Sequence, residues 1–160
     1  MSTPYADTVI EAIVTALEAV DGTGEYNTAT NLVLRRDRKS KVKYDGKRAR
    51  HYIYCALVDQ NYSLGANDEV FEAVTINIDS HLNYSDAAGY SVDEQELLLG
   101  HDVRFAVASL RSSLNCTFER LTAQSFREVD PEDPVPGVTT SLTISYLLRS
   151  SDFENVGPLA

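Results

Sequence analysis

Alternation of apolar and polar residues in two segments constrains the fold of this 160-residue chain more than any other feature. Residues 69–82 (EVFEAVTINIDSHL) and 138–150 (VTTSLTISYLLRS) place apolar side chains at every second position over most of their length. Side chains of a β-strand point alternately to its two faces, so this period predicts two strands with one apolar and one polar face each. Segments 31–36 (NLVLRR) and 116–129 (CTFERLTAQSFREV) are also strand-like.

A further segment, 49–60 (ARHYIYCALVDQ), is apolar on both of its faces. A strand of that kind is typical of the interior of a sheet, so we expect it to be central and covered on both sides. Residues 61–68 (NYSLGAND) are rich in Asn, Ser and Gly and predict a turn after it.

Two segments show the three- and four-residue spacing of amphipathic helices. The first, residues 3–21, opens with Thr3-Pro4 and is followed by Gly22 as a C-terminal stop. In the second, Ser91 and Glu94 form the S-x-x-E of a capping box, and apolar spacing continues to about residue 113. The order of helix, three strands, helix and two strands predicts an α+β fold, with a mostly antiparallel sheet of about five strands flanked by two helices. We assign residues 1–150 to this single domain and 151–160 to a mobile or partner-ordered tail.

Charge is divided unevenly along the chain. The basic segment, residues 35–50, holds nine of the fourteen Lys and Arg residues and two acids, a net charge of +7, whereas the rest of the chain carries -17. It contains Asp45-Gly46, a favourable turn dipeptide, so the sequence predicts a long basic β-hairpin between strands 31–36 and 49–60. We expect its bases to form a protein-interaction site made of Arg35, Arg36, Arg38, Lys39, Lys41, Lys43, Lys47, Arg48 and Arg50.

Three roles for the basic segment stay open on these grounds: a nucleic-acid contact, a solvated hairpin tip, or a contact with an acidic protein neighbour. The net charge of -10 for the whole chain disfavours general nucleic-acid binding. An acidic body favours a protein neighbour, and the next identical subunit is one such neighbour.

The sequence offers little for catalysis or metal binding. His51, His81 and His101 lack the spacing of a metal motif, although Asp79, His81 and Asp86 lie close together along the chain. Neither cysteine has a plausible histidine partner, and the paired carboxylates fall at a helix N-terminus and in a loop. We therefore expect no enzyme activity, no cofactor and no metal, with Cys55 and Cys116 as buried free thiols.

Membrane and secretory signals are missing from the sequence pattern. No apolar run approaches the roughly 20 residues of a membrane span, and the N-terminal residues lack the pattern of a secretory signal, so we expect assembly in a cytoplasm. The nine tyrosines and the lack of tryptophan leave two interpretations open, namely sheet packing with hydroxyls in water or the core of an interface.

Six segments, in order, carry a resemblance to a known family. They are ADTVIEAIVTALEAV, DGTGEYNTATN, LVLRR, EAVTINIDSHL, ELLLGHDVRFAVASL and GVTTSLTISYLLR. Taken together, their order resembles that of the tail terminator (tail completion) proteins of tailed bacteriophages, over nearly the whole chain.

This resemblance implies a small α/β subunit that forms a hexameric ring on the tail tube, ends tube polymerisation and offers a docking surface to the head–tail connector of the neck. It implies a virion protein at the tail–neck junction with the tail tube protein and the connector as partners. DNA would pass through the lumen without specific binding, and no catalytic residue or cofactor would be needed. The alternatives are another neck, head-completion, minor tail or baseplate component, or a nucleic-acid-binding module that uses the basic hairpin.

Overall fold

The computed structural model describes residues 5–35, 51–65, 69–82, 89–126 and 136–148. Those residues form an α+β fold, as predicted. The elements are α1 (Tyr5–Glu18), β1 (Thr30–Arg35), β2 (His51–Leu64), β3 (Val70–His81), α2 (Val92–Ser109), β4 (Thr117–Phe126) and β5 (Gly137–Leu148). A short 3-10 turn, Leu110–Ser112, extends the end of α2. The predicted tail, 151–160, lies outside the described residues.

Four strands form an antiparallel sheet in the order β2, β3, β5, β4. β3 and β5, the two alternating segments, pair along their whole length, from Val70 opposite Leu148 to His81 opposite Gly137. Residues directly opposite each other share a face, so the apolar faces of the two strands coincide. The antiparallel sheet and the two helices predicted from the sequence are confirmed.

The pairing of β1 with β2 requires a correction. β1 lies along β2 in the parallel direction, with Thr30 opposite His51 and Arg35 opposite Cys55. A β-hairpin joins antiparallel neighbours, whereas parallel neighbours need a crossover of a dozen or more residues. The predicted basic hairpin between these two strands therefore does not fit the pairing. Residues 36–50, including the turn predicted at Asp45-Gly46, lie outside the described residues.

β2 is longer than predicted. The ladder to β3 continues through residues expected to form a turn, as far as Leu64 opposite Val70. The composition of 61–64 favours a turn, but the backbone hydrogen bonds of the antiparallel ladder outweigh that local preference. A register shift between Leu57 and Asp59 marks a β-bulge, and Val58 at that bulge is 45% exposed.

Both helices pack on one face of the sheet, α1 over β1 and β2, and α2 over β3, β4 and β5. The prediction that β2 is covered on both sides is therefore not met among the described residues. The core between the helices and the sheet is almost entirely aliphatic, and its fully buried large side chains are Val9, Ile10, Ile13, Leu17, Val20, Ile53, Ile76, Ile78, Leu82, Leu99, Leu142 and Ile144. Cys55 belongs to this core and Cys116 is half-buried, and both are free thiols.

The opposite face of the sheet carries short polar side chains that pair across strands. The Thr139 hydroxyl donates to Asp79 at 2.8 Å, and the Ser141 hydroxyl donates to Asn77 at 2.5 Å. Each pair joins β5 to β3 in the register of the ladder. Cross-strand pairs of this kind contribute a few tenths of a kcal/mol to about 1 kcal/mol each, so they reinforce the pairing that the apolar face begins.

Candidate interaction surfaces

Arg35 alone among the nine predicted interaction residues lies within the described part of the chain. It ends β1, and its guanidinium forms an ion pair with Asp7 on α1 and lies 3.3 Å from the Glu11 carboxylate. These three side chains are partly exposed, so the contact contributes little stability, on the order of 0–1 kcal/mol. Arg35 is thus held by acids of its own chain. Arg36, Arg38, Lys39, Lys41, Lys43, Lys47, Arg48 and Arg50 lie outside the described residues.

The described residues are strongly acidic. They contain fourteen Asp and Glu residues against four arginines, namely Arg35, Arg104, Arg111 and Arg120. Most of these acids are exposed. The body of the protein therefore presents a negative field to its surroundings, and that field would attract a basic segment of another molecule.

Asp102 anchors the loop between α1 and β1. Its carboxylate, on α2, is 0% exposed and accepts the backbone N–H groups of Asn27 and Thr28, both at 2.7 Å. The Thr28 hydroxyl and the Asn27 side-chain amide donate to the same carboxylate at 2.8 and 2.9 Å. A buried carboxylate is costly unless such donors surround it. Here four donors surround it, and they hold the loop against the middle of α2.

An open groove of about 440 Å³ lies where this loop meets α2. Apolar atoms dominate its lining, to which three polar side chains also contribute. We call it the α2 groove, and it is lined by Asn27, Tyr90, Glu94, Leu97, Leu98 and His101. Tyr90 and Leu97 are 52% and 55% exposed. Large apolar side chains that cluster on a surface are typical of interaction sites.

The capping box predicted from the sequence shapes one end of the α2 groove. Ser91 accepts the Glu94 backbone N–H, while the Glu94 carboxylate accepts the Ser91 backbone N–H at 2.8 Å. These hydrogen bonds from Ser91 hold the pKa of the Glu94 carboxyl below its usual range. The Gln95 side-chain amide donates to the Tyr90 carbonyl at 3.0 Å and so fixes the residue before the cap.

Aromatic contacts support the other end of the groove. Phe105 packs edge-on against Tyr26, with ring centroids 5.8 Å apart, and it stacks on His101 at 6.3 Å. His101 Nδ1 also lies 3.3 Å from Asp102. The loop and the helix therefore meet through an aromatic layer as well as through the buried carboxylate.

No family model matches the chain, and no curated protein matches it.

A second buried carboxyl, Glu72, lies at the far end of the sheet. It projects from β3 towards the core side, and the Gln60 side-chain amide donates a hydrogen bond to it. Tyr62 and Tyr146 lie beside it, and the pKa of each phenol is raised, mainly by burial and then by the Glu72 carboxylate. The Tyr146 hydroxyl has no hydrogen-bond partner of standard geometry among the described residues. The two phenols therefore stay protonated at neutral pH.

The third buried carboxyl, Glu96, has a structural task. It lies on α2 and accepts the backbone N–H of Gly137 at 2.7 Å, at the beginning of β5. Burial raises the pKa of this carboxyl, and the Gly137 hydrogen bond opposes that shift. The contact joins α2 to the sheet beside the point where the Leu82 backbone N–H donates to Pro136.

Other sites considered from the sequence gain no support. No group of His, Cys, Asp and Glu in the described ranges has the arrangement of a metal site. Asp79 and His81 lie on β3, with Asp79 bonded to Thr139, and Asp86 is outside the described residues. Burial, followed by the charges of Asp79 and Glu11, raises the pKa of the Cys55 thiol to about 12. Neither helix that the structure describes is long and apolar enough to cross a membrane.

Sequence reasoning missed the α2 groove and the anchor of its loop. Asp102 gave one signal, since it follows Leu99 by three residues and so falls on the buried face of the helix. The partner of that carboxylate, however, is a loop 74 residues away. Leu97 carries no signal of its own, because single exposed apolar residues are common on protein surfaces. Tyr90 shares the general interface interpretation given to the tyrosines, which does not locate a groove.

Proposed function

We propose that this chain is a structural subunit that assembles head to tail into a ring and caps the tube of a phage tail. One observation carries the proposal: the chain combines a strongly acidic body with one basic segment, residues 35–50, of net charge +7. A contact between two different surfaces of identical chains repeats from copy to copy, and it closes into a ring when the rotation permits. The resemblance to tail terminators suggests that this ring forms at the end of the tail tube.

In this function the ring ends polymerisation of the tail tube and presents a docking surface to the neck. Six copies would carry a net charge of about -60, since each chain carries -10. An acidic lumen repels the phosphate backbone and lets DNA pass without being held. The task is one of shape and charge, and it requires neither a nucleophile nor a cofactor.

The oligomeric state of the purified protein tests the proposed function directly. We expect the purified full chain to form closed particles in light scattering and negative-stain images, either alone or with tail tube protein. Raising the salt from about 50 to about 500 mM is expected to shift the particles towards monomers, because screening weakens contacts between exposed charges. A chain that is monomeric under all these conditions contradicts the proposal.

One genetic result and one binding result distinguish a tail terminator from a neck component and from a nucleic-acid-binding module. Loss of a terminator is expected to give abnormally long tails, whereas loss of a neck component gives tails of normal length that remain unattached. A nucleic-acid module would bind DNA at about 50 mM salt with a steep salt dependence. We expect no such binding by the assembled ring.

A further inference from the structure

We propose that the α2 groove is the receptor for the basic segment of a second copy of this chain. The inference rests on the proposed function and names the two surfaces that meet. The occupant of the groove is residues 39–48 (KSKVKYDGKR), in which Val42 and Tyr44 are flanked by five Lys and Arg residues.

Charge complementarity is the first argument. Glu94 is the acid that lines the groove, and the two segments that meet there, residues 18–28 and 90–104, hold seven acids and one base, Arg104. Glu96 and Asp102 are buried, and the other five are exposed: Glu18, Asp21, Glu25, Asp93 and Glu94. The occupant, residues 39–48, has five bases and one acid, Asp45, a net charge of +4 that faces the five exposed acids. Complementary potentials of this kind steer association and fix which surfaces meet.

The apolar floor of the groove also suits this occupant. Leu97, Leu98 and Tyr90 leave an open apolar surface of a size that suits one or two side chains of a peptide. Val42 and Tyr44 are the two large apolar residues of the occupant. Buried apolar or aromatic anchors surrounded by polar contacts carry most of the binding energy in protein interfaces. Charge would thus bring the segment to the groove, and the two anchors would hold it.

A second copy is a better occupant of the groove than the same chain. The basic segment is tied at both ends to the α1 side of the sheet, since Arg35 and His51 lie on β1 and β2. Arg35 is moreover held there by Asp7 and Glu11. The groove is formed by α2 and the loop before β1, and Arg35 lies at the opposite end of β1 from that loop. The segment is assigned to a second copy because the proposed head-to-tail ring joins two different surfaces of identical chains.

Photo-cross-linking in the full chain tests this pairing. A photoreactive residue replaces Leu97 in one sample and Leu64, which is 86% exposed at the far end of β2, in the control. Each sample is a mixture of unlabelled and 15N-labelled chains, so mass spectrometry separates cross-links within a chain from those between chains. We expect cross-links from position 97 to residues 36–50 that carry mixed labels, and none from position 64. Cross-links that all carry one label would overturn the proposal in favour of intramolecular binding.

A peptide of residues 36–50 provides an independent measurement. We expect its affinity for the full chain to fall about tenfold with Leu97→Ala and to be unchanged with Leu64→Ala. Glu94→Gln removes one charge but keeps a residue that suits the capping box, and it is expected to weaken binding and its salt dependence. A peptide with Val42→Ser and Tyr44→Ser keeps every charge. Equal affinity of the two peptides would show that charge alone acts and would contradict the anchored site.

These experiments distinguish a failure of the groove proposal from a failure of the ring proposal. Rings that form normally with Leu97→Ala and give no cross-link from position 97 overturn the groove and leave the proposed function intact. A chain that stays monomeric but binds the peptide with the expected Leu97 dependence contradicts the ring and supports the groove as a receptor. Cross-links from position 97 to tail tube protein alone assign the groove to that partner and overturn its occupation by a second copy.

Discussion

The Asp102 carboxylate accepts the backbone N–H of Thr28 at 2.7 Å, across 74 residues of sequence. This contact and its three neighbours fix the loop that forms one wall of the α2 groove. An isolated bridge between Asp21 and Ala29 closes the base of the loop, and the Asp102 carboxylate ties its tip to α2. Four donors on one buried acid also explain why a charge is tolerated beside the aliphatic core.

Replacing Asp102 by Ala is expected to lower the free energy of unfolding by about 2–4 kcal/mol, because buried donors of Asn27 and Thr28 lose their acceptor. Urea unfolding at pH 7 measures the change. Asp93→Ala, in the exposed first turn of the same helix, serves as the control and is expected to change stability by less than about 1 kcal/mol. A value for Asp102→Ala similar to that of the control would contradict the anchoring role.

Glu94 is expected to make stability rise with pH. Its folded pKa lies below the ordinary value of 4.5, because Ser91 donates hydrogen bonds to the ionised carboxylate. The unfolded chain therefore binds the proton more readily, and the stabilisation is present above about pH 4.5 and lost as pH falls through the lower folded pKa. Glu94→Gln should be less stable than the natural chain at pH 7, with the difference shrinking towards pH 3. Unfolding midpoints across this range check the trend.

Glu96 is expected to show the opposite dependence. Burial raises its folded pKa above 4.5, so the folded chain holds the proton more readily than the unfolded chain. Its contribution to stability is most favourable below pH 4.5 and is lost as pH rises through the raised folded pKa. The stability of Glu96→Gln relative to the natural chain should therefore increase with pH across this window. Glu119→Gln, at an exposed position of β4, is the control, and a parallel trend for both variants would contradict the assignment.

Gly137 is required where β5 begins beside β3. A Cβ at this position would lie 2.1 Å from the Ser80 carbonyl oxygen, a backbone atom that cannot move aside without breaking the ladder. We expect Gly137→Ala to destabilise the fold by about 2–3 kcal/mol, at the upper end of overpacking effects. Gly24 has a positive φ and open space around its Cβ direction, so Gly24→Ala should cost about 1 kcal/mol from backbone strain alone. Thermal unfolding of the two variants tests this ranking.

The sequence by itself determined the elements that are built from local periodicity. The alternation in β3 and β5 assigned each residue to a face of the sheet, and that assignment holds along the whole of their ladder. The capping box at Ser91 and Glu94 set the beginning of α2, because its donors and acceptors lie within four residues of one another.

Only the tertiary structure decided how distant segments meet. β1 lies parallel to β2. Alternation of apolar and polar residues assigns side chains to the two faces of a strand, but it predicts neither the neighbouring strand nor its direction. For the same reason β2 extends to Leu64, since its partner on β3 supplies the hydrogen bonds that the local composition does not predict. The loop anchored by Asp102, and with it the α2 groove, exists because a carboxylate and its donors come together across 74 residues, and pairings at that separation are set by packing rather than by local pattern.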